Sequence, residues 1–272
     1  MNQTPTPPLS PPEMYEKYFV PAMFIPWARL LLARAAPQPG ERVLDVACGT
    51  GIVARMAAPL VGAGGQVVAV DFNPPMLGVA RSLPAPAGAA IRWEEGNAMA
   101  LPFADGSFDL VLCQHGLQFF PDRALAVCEM RRVLKPGGRA LVIVLQQLAL
   151  HPVFQALIES VARQLALPVA DVMTPFALSD AGQLKGLFTN AGFAKVEVLA
   201  ESATVRFPEP ERFVPLAVMS SAAAVPAFAQ LQGPARATLL EAVRQDIAPL
   251  LQSTIRDGEL AFTMHAHIAV GV

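Results

Sequence analysis

Short apolar runs that alternate with helical stretches constrain this chain most. RVLDVA (residues 42–47), QVVAVD (66–71), AIRWEE (90–95), FDLVLC (108–113) and RALVIVL (139–145) read as strands. Between them IVARMAAPLV (52–61), NPPMLGVARSL (73–83) and DRALAVCEMRRVL (122–134) read as helices. Such alternation predicts a parallel sheet with helices on both faces. The punctuation agrees: Asn73 is placed to cap a helix opening with Pro74 and Pro75, and KPGG (135–138) to stop the helix before the fifth strand.

The rest of the chain is less regular. Residues 1–12, with five prolines and no basic cluster, read as a disordered lead-in without a signal peptide's charged start. Residues 13–39 hold an aromatic segment, YEKYFVPAMFIPWARLLLARA (15–35), which Pro21 and Pro26 would break into short helices. Residues 40–272 then form the α/β domain. Residues 152–166 read as a helix; Ser179 and Asp180 start another, which Gly192 ends. Two further strands are expected at 195–207 and 258–270, from period-two alternation. Residues 209–252 look helical and form an insertion between those strands.

Composition narrows the function classes. Hydrophobic residues make up 53% and charged residues 15%, with a net charge of −2, so the chain lacks the basic footprint of a nucleic-acid partner. No long apolar run is free of proline and serine, which argues against a membrane span. Cys48, Cys113 and Cys128 show no metal spacing, so no metal is expected; free thiols fit a reducing, cytoplasmic setting.

The glycine loop is the first candidate site. VLDVACGTG (43–51), read on to Ala54, gives Gly49-x-Gly51-x-x-Ala54, the pattern of a dinucleotide-binding turn. Asp45 inside that apolar strand would cost roughly several kcal/mol to bury unpaired. It would repel a pyrophosphate and welcome an ammonium group. Asp71, at the end of the second strand, is placed to accept both hydroxyls of a ribose, which fits NAD and an adenosyl amino acid equally.

Four stretches extend the pattern: VLDVACGTG, VVAVDFNPPML (67–77), GNAMALPFADGSFDLVLCQHGLQFF (96–120) and EMRRVLKPGGRALVIV (129–144). In order and spacing they resemble the motifs of class I S-adenosylmethionine-dependent methyltransferases, and the nearest subgroup resembles the small-molecule, ubiquinone/menaquinone-biosynthesis type. The resemblance covers about residues 40–145. It implies a Rossmann-like, mostly parallel seven-stranded sheet with a helical lid insertion, and S-adenosylmethionine as cofactor with S-adenosylhomocysteine as product. It places Asp45, Ala47, Gly49 and Gly51 around the methionine portion and Asp71 on the ribose. Phe72 and Met76 would line the adenine, Asn97 and Ala98 its edge, and Gln114 would lie beside the sulfonium. Asn97 stands where the family usually has aspartate; its amide oxygen can accept the same bond.

Methyl transfer needs mostly positioning, and a base only when the acceptor must lose a proton. His115, two residues past the fourth strand, is the candidate base or acceptor contact, with a structural imidazole the equal alternative. His151 in the loop after strand five is a weaker candidate; His265 and His267 on the last strand read as structural. Tyr15, Tyr18, Phe24 and Trp27 would form a lid over an acceptor. Residues 209–232, poor in charge, would pack on the sheet, face an apolar ligand, or form the interface of a homodimer. The expected activity is methylation of a small, apolar acceptor at O, C or N. The competing reading keeps the cofactor in a non-methylating enzyme or a regulatory protein.

Overall fold

The structure, a computed structural model, describes residues 9–221 and 225–272. Among these, one sheet runs in the order β3-β2-β1-β4-β5-β8-β6. Its strands are β1 (Arg42–Val46), β2 (Gln66–Asp71), β3 (Ile91–Glu95), β4 (Phe108–Gln114), β5 (Leu134–Leu145), β6 (Val196–Phe207) and β8 (Glu259–Gly271). The first five pair in parallel. β8 is antiparallel to both β5 and β6, with Leu141 opposite Val270 and Leu199 opposite Ile268. The seven expected strands are all present. An eighth, β7 (Ile255–Arg256), pairs only with the start of β8 across the Asp257–Gly258 turn.

The strands are apolar throughout because both faces are covered. Side chains alternate across the sheet, so Val43, Val67 and Leu112 join one core while Leu44, Val68 and Val111 join the other. Helices α2 (Ile25–Ala35), α3 (Ile52–Val61) and α6 (Pro152–Gln164) pack on the first face; α5 (Arg123–Arg132) and α7 (Ala181–Asn190) cover the second. The caps are those read from sequence. Asn73 accepts the Met76 N–H at 3.4 Å to open α4 (Pro74–Ser82), and Asp180 accepts the Gln183 N–H at 2.7 Å to open α7.

Three local expectations are corrected. The prolines of the N-terminal segment do not break it: α1 (Pro11–Met14), a π-wound stretch Tyr15–Phe24 and α2 run on without a gap. Pro21 lies inside the π-wound stretch, where the wider winding spares the clash that proline makes in an α-helix. The lead-in expected over 1–12 falls, for residues 1–8, outside the described residues. Ser10 with Glu13 already forms a capping box that starts α1 on Pro11. KPGG does not stop α5, which ends at Arg132; it bulges out of β5, whose register jumps from Leu134 opposite Phe108 to Arg139 opposite Leu110.

The insertion between β6 and β7 is helical as expected: α8 (Phe213–Ser221), α9 (Pro226–Ala229) and α10 (Gly233–Thr254). Ala222, Ala223 and Ala224 of its alanine run lie outside the described residues. No described helix is long and apolar enough to cross a membrane.

Candidate active site

Strand order reverses between β1 and β4, and a crevice forms there at the carboxyl ends of the strands. It opens into a cavity of about 730 Å³. Two residues with side chains flank it in the left-handed conformation, Ala47 (φ 57°) after β1 and His115 (φ 53°) after β4. Such backbone is uncommon outside glycine and concentrates at functional sites. The two turns also touch. A Cβ on Gly116 would meet Ala47 Cβ at 2.7 Å and Cys113 Sγ at 2.9 Å.

One half of the cavity is built from chain turns. Ala47, Gly49, Asp71, Phe72, Met76, Asn97 and Ala98, all candidates from the sequence, line it. Gly49 (φ 54°) has open space where its Cβ would be, with only the Tyr15 hydroxyl at 4.0 Å. The Asp71 carboxylate fixes the glycine loop: Oδ2 accepts the Gly49 N–H at 2.7 Å and Oδ1 accepts the Asn73 N–H at 2.9 Å. Lone pairs remain on both oxygens for a diol. Burial pushes Asp71 above the usual carboxylate range, against the pull of those N–H groups. Phe72 is 74% exposed, an open aromatic face at the rim. Asn97 uses its amide oxygen to accept the Met99 N–H at 2.9 Å, leaving its NH₂ group uncommitted.

The other half is walled by side chains from distant segments. Tyr15, Phe24 and Trp27 reach it from the N-terminal helices, and Phe154, Phe176 and Met264 close the far side. The N-terminal helices are clamped to the sheet edge. Arg55 Nη2 donates to Glu16 Oε1 at 2.7 Å while Nη1 binds the Thr50 carbonyl, and Gln114 Nε2 donates to the Phe24 carbonyl at 3.1 Å. Gln114 and His115 therefore sit where the halves meet. Burial pulls the His115 imidazole down to about 3, with a smaller push from His151. Its ring lies edge-on to Phe24 and Trp27, at 6.0 Å and 5.7 Å between centroids, and Nδ1 has no partner among the described residues.

The structure moves several expected site residues away from the cavity wall. Asp45 is 1% exposed and faces the base of α3, where Oδ2 accepts the Ala54 N–H at 3.0 Å. Burial, with repulsion from Asp71, pushes it up to about 8, so it stands behind the loop as a largely protonated anchor. Gly51 faces Trp93, whose ring a Cβ would meet at 2.2 Å; that contact explains the second glycine. Tyr18 points outward between Lys17 and Arg212, whose cations lie 5.1 Å and 4.9 Å from its ring centre. His151 is buried behind Phe176, because its ring is held by backbone: Nδ1 lies 3.0 Å from the Gln147 carbonyl and Nε2 accepts the His265 N–H at 2.9 Å. Residues 209–232 do not line the cavity among those described; Phe213 packs instead against Phe154, Phe207 and Phe262.

Sequence reasoning missed Phe154, Phe176, Met264 and Gln118, all of which face the cavity. Gln118 is 2% exposed with Oε1 unpartnered among the described residues. It lies four residues past Gln114, within a quoted motif, which was the one available signal.

A model of the ubiE/COQ5 methyltransferase family matches residues 22–205. The 2-phytyl-1,4-naphtoquinone methyltransferase of Synechococcus elongatus is 39% identical over 119 residues, which is 43% of this chain and 51% of that protein. The ubiquinone/menaquinone biosynthesis C-methyltransferase UbiE of Shewanella sediminis is 33% identical over 185 residues, 63% of this chain and 73% of that protein. The match thus spans about half the length of the first relative and about three quarters of the second. In fold, the structure is similar to the YcgJ protein of Bacillus subtilis, with a TM-score of 0.57 at 19% identity over 90% of this chain and 96% of the other.

Proposed function

The chain belongs to the ubiE/COQ5 methyltransferase family, and we propose that it transfers a methyl group from S-adenosylmethionine to a small, apolar acceptor. The observation that carries this reading is the division of one cavity into a half with a strand-end carboxylate and open backbone turns and a half with aromatic and thioether walls, meeting at Gln114 and His115. Asp71 would hold the ribose diol, Gly49 and Ala47 the amino-acid portion, and Phe72 with Met76 the adenine. The orphaned Gln114 Oε1, buried where the halves meet, fits a neighbouring positive charge. When bound, S-adenosylmethionine supplies an activated methyl group on a sulfonium. The chain supplies position, exclusion of water and a partner for the acceptor's proton.

That partner is His115. Held near 3, the imidazole is neutral at physiological pH and accepts a hydrogen bond through Nδ1. It is too weak a base to strip a free phenol in advance, so it would take the hydroxyl proton only as that oxygen gains its bond to the methyl carbon and turns strongly acidic, and would then release the proton to solvent as the product leaves. Tyr15 stays a neutral phenol, since burial and the nearby Asp71 raise it far above its ordinary value.

The near-neutral charge supports a reading without a nucleic-acid partner, and the free cysteines support a cytoplasmic setting.

Calorimetry should show S-adenosylhomocysteine binding, and labelled S-adenosylmethionine should pass its methyl to a bicyclic phenol such as 1-naphthol. Absence of cofactor binding would overturn the reading. Acceptor consumption without S-adenosylhomocysteine release would make the protein a non-methylating enzyme. His115→Ala should lower turnover by roughly 10²-fold and leave cofactor affinity unchanged. The sign of the pH dependence follows from a lowered imidazole: it is deprotonated well above its value near 3. Turnover should therefore show no His115-dependent fall from about pH 8 down to about pH 5. A histidine-dependent limb centred near the ordinary imidazole value would contradict the buried setting.

A further inference from the structure

Trp27 is fully buried, at 0% exposure, yet its indole Nε1–H has no partner among the described residues. Tryptophan usually pairs that group when buried, and a lone buried donor is costly to leave unmet. The indole lines the acceptor half of the cavity and stands edge-on to His115, 5.7 Å between ring centres at 81°. Around the same chamber, Gln114 Oε1, Gln118 Oε1 and His115 Nδ1 are also buried without partners. Two of these are acceptors by nature, whereas an indole nitrogen can only donate. With Gln114 Oε1 turned to the cofactor, an acceptor molecule made of hydrocarbon alone would leave the other three groups unmet. A charged molecule would have to shed its water against phenylalanine and methionine walls.

We propose that Trp27 Nε1–H binds an oxygen of the methyl acceptor, selecting an uncharged ring that bears a carbonyl or hydroxyl oxygen and fixing which of its atoms faces the methyl group. This inference rests on the methyltransferase reading for its meaning, but its binding signature does not need the transfer. The donor is held in place from both sides. Trp27 sits in the first turn of α2, three residues after Phe24, whose carbonyl accepts from Gln114. The same Gln114 ends β4, next to His115. A ring whose oxygen lies on the indole is thereby placed against the junction of the two cavity halves.

The test uses two probes on the full chain, titrated with and without S-adenosylhomocysteine: 1-tetralone, which has a carbonyl, and tetralin, the same frame without oxygen. Wild-type protein should bind 1-tetralone about tenfold more tightly than tetralin, the scale of one hydrogen bond to an otherwise unmet donor. Trp27→Phe should remove that ratio and leave tetralin binding within about twofold. Lack of a preference in the wild type, or its survival in Trp27→Phe, would overturn the proposal. A second readout needs no variant at position 27. The chain has two tryptophans, so a nitrogen-15 spectrum shows two indole signals, which Trp93→Phe assigns. 1-Tetralone should shift the Trp27 indole proton downfield and tetralin should not; an unmoved signal rejects the contact. Failure of S-adenosylhomocysteine to bind would sink the methyltransferase reading and leave the tetralone–tetralin comparison standing.

Discussion

The two halves of the cavity are made in opposite ways. Around Asp71 and Gly49 the surface is backbone, set by turns that directly follow β1, β2 and β3. Around Trp27 it is side chain, drawn from residues as far apart as Tyr15 and Met264. A backbone surface tolerates little change at its glycines and carboxylate, because a single Cβ or a lost acceptor alters its shape. A side-chain surface can be recut one residue at a time without moving the strands beneath. The first half therefore suits a ligand that stays fixed, and the second a ligand that varies.

This contrast can be broken most severely at Gly49. Gly49→Val puts a branched Cβ into the cavity at a φ of 54°. It should weaken S-adenosylhomocysteine by more than about 10³-fold in calorimetry, with the melting temperature largely kept. Retained affinity would place the cofactor elsewhere. Asp71→Ala removes the diol acceptor and the anchor of the glycine loop. The expected loss is about 1.5–3 kcal/mol of cofactor affinity, and an unchanged value would mean that the ribose lies away from β2. On the side-chain half, Phe24→Ala should weaken 1-naphthol by about tenfold and leave S-adenosylhomocysteine untouched. If both ligands weaken equally, the halves are not separable. The smallest effect is expected from Asn97→Asp. Either residue offers an oxygen to the Met99 N–H, so cofactor affinity should stay level or rise slightly. A large drop would show that the uncommitted Asn97 NH₂ group contacts the adenine edge.

The same contrast explains what could be read from the chain. Turns encode themselves locally: the glycine positions and the cap at Asn73 lie within a few residues of what they position, and the strand-end aspartate is marked by the apolar run it closes. Hence the strands, and the turns at Gly49, Asp71 and Asn73 that follow them, were legible in the sequence. Asp45 and Gly51 were visible as unusual but not as to direction, since one faces the base of α3 and the other faces Trp93. The acceptor half has no local code. Phe176 comes from a short irregular turn and Met264 from the middle of β8, neither of which stands out in sequence. Lack of charge left residues 209–232 open to packing, to facing an apolar ligand or to an interface. Their apolar content serves a packed cluster around Phe213.

The position of β8 has a consequence for the order in which the molecule is made. It lies between β5 and β6, and β6 has no other strand partner among the described residues. Residues 208–258 separate the two strands in the chain. At about 5–20 residues per second on the ribosome, the edges of β5 and β6 stay open for several seconds before β8 arrives. Glu197, Glu201 and Arg206 punctuate β6 with charge, a composition that discourages pairing with a neighbouring nascent chain. The cofactor half, complete once β4 has joined β1, is finished early. The acceptor half waits for Met264, so a truncated or stalled product would hold a cofactor cradle with no chamber beside it.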